Sequence, residues 1–67
     1  MSNNIKKWID KNIINPEYNK TVNNKPMVFI PVMHNQDKKI LSYLKRIKAN
    51  FIYNYRCDYE YLCIIFN

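Results

Sequence analysis

The sequence predicts an α/β fold of the two-layer α+β kind: an N-terminal helix, then β-α-β-β, with a three-stranded mixed sheet of order 1-3-2 packed on the main helix. Three observations predict it. Residues 36–49 carry apolar side chains at helical spacing. Residues 26–33, ahead of them, form a β-branched apolar run. Residues 51–57 and 60–66, behind them, are aromatic and β-branched with a charged break between. At 67 residues there is room for a single domain, and a chain of this size buries only about 60% of the surface its unfolded form exposes. A hydrophobic share of 48% still places it among chains that fold.

The first helix is predicted over 3–14. Ile5, Trp8, Ile9 and Ile13 share one face, and Lys6, Lys7, Asp10 and Lys11 lie opposite. Asn3 or Asn4 is the expected N-cap, with Ser2 as the alternative, and Pro16 ends the element. Residues 15–25, NPEYNKTVNNK, are dense in Asn and Lys and predict a connecting loop. The strand over 26–33 contains Pro31, which cannot donate to a ladder and so places this strand at a sheet edge or at a bulge.

In the main helix, 36–49, Asn35 is the expected N-cap and Asp37 suits the positive end of the dipole. Lys45, Arg46 and Lys48 suit the negative end, and Ile40, Leu41, Leu44 and Ile47 form the apolar stripe. The last eighteen residues hold four of the six tyrosines and both cysteines, and they predict a hairpin turning at Asp58. Its second strand, YLCIIF, has no charge and scarcely alternates, as befits the middle of a sheet. A crossover through the main helix then puts the last strand between the other two.

The chain has no Gly and a single Ala, Ala49, so Asn has to occupy the turn positions that Gly usually fills. Its wealth of Asn, Lys, Ile and Tyr follows A/T-rich codons, which points to an A/T-rich genome and, at this length, to a phage or virus. A net charge of +6 favours anionic partners and excludes an acidic mimic of DNA. The sequence shows no leader and no apolar run near the ~20 residues that span a bilayer, which predicts no membrane partner and action in the host-cell cytoplasm. Cys57 and Cys63 match no metal or redox spacing and are expected to be reduced.

Catalysis needs convergent titratable groups, and these are sparse: one histidine, His34, and five carboxylates. Without Gly there is no phosphate loop or nucleophile elbow. A Cys63–His34 pair is permitted by spacing, but Cys63 lies in an apolar strand and burial there makes a thiol inert. The expectation is a binding protein without enzymatic activity, cofactor or metal. It is read as a phage or viral accessory or anti-defence protein that modulates a host or viral protein, a nucleic acid or a nucleoprotein. The candidate contacts are Lys38, Lys45, Arg46 and Lys48 on the main helix, for phosphates, and Tyr53, Tyr55, Arg56 and Tyr61 on the hairpin, for stacking or a protein interface. A free sheet edge also permits a homodimer.

Overall fold

The computed structural model describes residues 1–49, 51–57 and 60–66; residues 19, 20 and 51–57 are described in backbone alone. In chain order the elements are α1 (Asn3–Asn12), β1 (Glu17–Val22), β2 (Lys25–Pro31), a 3₁₀ turn (Met33–Asn35), α2 (Gln36–Arg46), β3 (Phe51–Cys57) and β4 (Tyr61–Phe66). The strands make one sheet of order β1-β2-β4-β3. The three strands predicted from the sequence are β2, β3 and β4, and their expected order, with the uncharged strand in the centre, is the observed one.

Two features differ from expectation. Residues 15–25 are not a plain loop, because β1 lies within them and pairs with the outer side of β2. The sheet therefore has four strands, and β2 is not an edge. Its prolines sit near its two ends instead, Pro26 opposite Thr21 and Pro31 opposite Tyr61. Every neighbouring pair is antiparallel rather than mixed. β2 and β3 do run parallel across the α2 crossover, but β4 stands between them, so no parallel ladder forms.

Asn23 and Asn24 join β1 to β2 as a two-residue turn, both at positive φ (50° and 64°) between the paired Val22 and Lys25. That is the type I′ geometry that matches strand twist. In β1 the register slips between Glu17 and Lys20, a bulge that adds one residue. The slip reverses the alternation. Tyr18 packs on the cluster beneath the helices, whereas Val22 packs on the opposite cluster.

The main core joins Ile5, Ile9 and Ile13 of α1 and its cap to Ile40 and Leu44 of α2, over Val28 and Ile30 of β2 and Leu62, Ile64 and Phe66 of β4. Since alternate residues of a strand share a face, both helices cover the same side of the sheet. Fully burying a side chain such as Leu44 contributes about 1.5–3 kcal/mol. The other face carries a smaller cluster of Met27, Cys63 and Ile65, flanked by Val22 and Phe29.

Ser2 caps α1, its Oγ accepting from Ile5 N at 3.2 Å. The helices stop earlier than predicted, α1 at Asn12 and α2 at Arg46. Ile47 thereby leaves the apolar stripe and is exposed. At the end of α2, Lys48 N–H donates to the Lys45 carbonyl (3.1 Å) and Ala49 N–H to the Leu44 carbonyl (2.9 Å), with Lys48 at φ 54°. This is a Schellman closure with lysine in the left-handed position that glycine usually takes. A Cβ there costs about 1 kcal/mol. Lys48→Gly is therefore expected to raise Tm by several degrees; an unchanged or lower Tm in a thermal melt would show that the strain is absent.

Gln36 is the buried polar side chain among the described residues. Its Oε1 accepts from Ile14 N–H (2.6 Å), and its Nε2 donates to the carbonyls of Ile14 (3.2 Å) and Pro31 (2.9 Å). One side chain thus ties the exit of α1, the end of β2 and the start of α2.

Candidate anion-binding surface on the helix layer

Eight cations stand on or just beyond the two helices: Lys6, Lys7 and Lys11 on α1, and Lys38, Lys39, Lys45, Arg46 and Lys48 along α2 and its cap. All are exposed. Asp10 and Asp37 are the only carboxylates in these two segments, so the segments carry the whole net charge of +6. The other charged residues, Lys20, Lys25 and Arg56 against Glu17, Asp58 and Glu60, cancel in the sequence. Both helices lie on one face of the sheet, so the positive charge forms a layer rather than a halo.

The two helices meet at an aromatic seam. Trp8 of α1 and Tyr43 of α2 stack with ring centroids 3.9 Å apart and planes 3° from parallel, and both remain half-buried. The Arg46 guanidinium lies 5.6 Å from the Tyr43 ring centroid, and Lys39 Nζ crosses to the Asn12 carbonyl at 3.1 Å. Asn12 in turn donates to the Trp8 carbonyl at 2.9 Å. The seam fixes the relative placement of the two cationic helix faces, and it sets π surface among them.

At the β1 side of the layer, the Tyr18 hydroxyl donates to Asp10 Oδ1 at 2.5 Å, and Lys6 Nζ reaches Asp10 Oδ2 at 3.4 Å. Lys6 also sits 4.8 Å above the Tyr18 ring. The Tyr18 hydrogen bond, and secondarily Lys6, hold the Asp10 carboxyl below the ordinary carboxylate range. Burial, and then the facing Asp10 carboxylate, push the Tyr18 phenol well above its ordinary 10.0. The folded state thus favours protonated Tyr18: its contribution is complete below pH 10.0 and is lost as pH rises beyond that. Tyr18→Phe is expected to flatten the alkaline limb of stability against pH relative to wild type. An unchanged limb would show that Tyr18 titrates normally.

Of the residues singled out from the sequence, Lys38, Lys45, Arg46 and Lys48 are exposed in this layer. Tyr61 is not with them. Alternation along β4 puts it on the Cys63 face, where it sits half-buried with its ring centroid 6.1 Å from that of Phe29. The side chains of Tyr53, Tyr55 and Arg56 lie outside the described residues; in the ladder, Tyr53 is opposite Ile65, Tyr55 opposite Cys63 and Arg56 opposite Leu62. Lys6, Lys7, Lys11, Trp8 and Tyr43 join the surface without having been singled out. The basic side of α1 and the place of Trp8 on its apolar face were the available signals.

His34 is exposed in the 3₁₀ turn, whereas Cys63 is fully buried against Met27 and Ile65. The two do not meet as a nucleophile and base. Among the described residues no three of His, Cys, Asp and Glu gather as metal ligands, and no helix is long and apolar enough to cross a membrane. A recess of about 420 Å³ lined by Pro31, Val32, Met33, Glu60 and Tyr61 opens at the end of β2. No family model matches the chain, and no curated protein or solved structure matches it at a significant level.

Proposed function

We propose that this protein binds a polyanionic macromolecule, nucleic acid or its nucleoprotein, through the helix layer and without catalysing a reaction. The observation that carries the proposal is the concentration of the entire +6 on one face. Cations spread over two adjacent helices suit a repeating row of phosphates better than a single carboxylate, and an Arg beside stacked aromatics adds contact to bases or sugars. Base-specific readout is not part of the proposal, because two helices lying flat on a sheet do not form a helix-turn-helix. With the coding bias of the sequence, the reading is of a phage or viral accessory protein that acts stoichiometrically on a host or viral target.

The test is anisotropy of labelled random-sequence single- and double-stranded oligonucleotides. Micromolar binding at about 50 mM salt, weakened by orders of magnitude at about 200 mM, is the expected result. No binding at the lower salt would overturn the nucleic-acid reading and leave an acidic protein surface as the partner to seek.

A further inference from the structure

We propose that two copies of this chain pair through their β3 strands, antiparallel and centred on Asn54, to form one continuous eight-stranded sheet. Among the described residues β3 pairs with β4 alone, so its outer edge presents unpaired N–H and C=O groups. The opposite edge is guarded. β1 is polar, carries Glu17 and Lys20 and is bulged between them, which are the devices that keep edge strands from pairing. β3, FIYNYRC, has no proline and one charge, and residues 53–57 run in unbroken register with β4.

The strand also suits itself as a partner. Tyr-Asn-Tyr at 53–55 reads the same in both directions, so an antiparallel dyad at Asn54 sets Tyr53 opposite Tyr55 of the second copy and Asn54 opposite its own equivalent. Aromatic cross-strand pairs are favourable, and Arg56 meets Ile52 rather than another Arg56. The two-fold interface is then isologous and closed, and cannot grow into a fibre. Among the described residues the core beneath the cationic layer is formed by β2 and β4, and pairing edge to edge at β3 does not bring the two +6 layers face to face.

Antiparallel pairing within one sheet requires the two-fold axis to stand perpendicular to that sheet, which keeps both helix layers on the same side. The dimer therefore doubles the cationic surface in one plane, and two binding layers on one body gain avidity on a long polyanion.

Sedimentation velocity from micromolar to submillimolar concentration tests the pairing. Wild type is expected to reach twice the 8.2 kDa chain mass. Asn54→Lys and Asn54→Asp, each placing like charges opposite one another, are each expected to weaken the dimer about ten-fold or more. An equimolar mixture of the two, with opposite charges on the axis, restores it. A wild type that stays at 8.2 kDa, an Asn54→Lys that dimerises like wild type, or a mixture that does not recover would each overturn the proposal. Far-UV circular dichroism of both variants checks their fold. Both variants keep all eight cations of the helix layer and shift the net charge in opposite directions, so oligonucleotide binding that persists in both monomeric forms separates failure of the pairing from failure of the proposed function.

Discussion

Replacing both Lys45 and Arg46 with glutamate is expected to weaken oligonucleotide binding about 100-fold at low salt, uniformly across sequences, and to lower the salt slope by about 2. Both residues are exposed in the last turn of α2, away from the buried Ile40 and Leu44, so the fold should tolerate the change. A modest loss is still expected in the helix itself, because acidic groups oppose the negative end of its dipole. Circular dichroism separates that loss from the binding effect. The same reversal in α1, at Lys7 and Lys11, should produce a loss of similar size if the two helices act as one surface. If it leaves binding intact, the contact is confined to α2. If neither reversal moves the affinity, the +6 serves solubility and the helix layer is not the binding face.

The largest effect on stability is expected at Gln36. Gln36→Leu keeps the volume and removes three hydrogen bonds at once, leaving the Ile14 amide and the Ile14 and Pro31 carbonyls without this partner. Each buried group left unsatisfied costs about 1–3 kcal/mol, partly recovered where water enters beside the half-exposed exit of α1. A net loss of about 3 kcal/mol lowers Tm by roughly 10–20 °C in a domain this small, a large part of its total stability. Gln36→Glu sharpens the test. Its carboxylate can accept from Ile14 N–H but repels the two carbonyls, so the protonated form is favoured in the fold and its pKa is raised. Relative to wild type, that variant regains stability as pH falls. A Gln36→Leu protein that melts near wild type, or a Gln36→Glu protein without this acid recovery, would refute the role of the contact.

The sequence was most legible where burial is complete and one-sided. The stripe of Ile40 and Leu44 foretold α2, and the uncharged YLCIIF foretold a central strand, because a strand covered on both faces has no reason to alternate. β1 was hidden for physical reasons. It is a polar edge strand, its bulge breaks the alternation that would betray it, and its turn is Asn-Asn where Asn-Gly is the usual signal. The expectation that Asn replaces Gly holds, since four of the six described residues at positive φ are asparagines; applied to Asn23–Asn24, it would have revealed the hairpin. For the site, the lysines of α2 were visible as a run, but pooling them with α1 needed the knowledge that both helices share a face. The hairpin and helix candidates were grouped by composition, and alternation along β4 puts Tyr61 on the other side of the sheet from the lysines.

The strand order also constrains how the molecule can be made. β4 is the last of these elements to leave the ribosome, yet it is the one that bridges β2 and β3. Until residues 61–66 emerge, the nascent chain holds a local hairpin, two helices with half a floor beneath them, and a strand with nothing to join. Closure of the core is therefore a late, all-at-once event, and a stop codon ahead of residue 61 would remove the sheet's centre rather than its fringe.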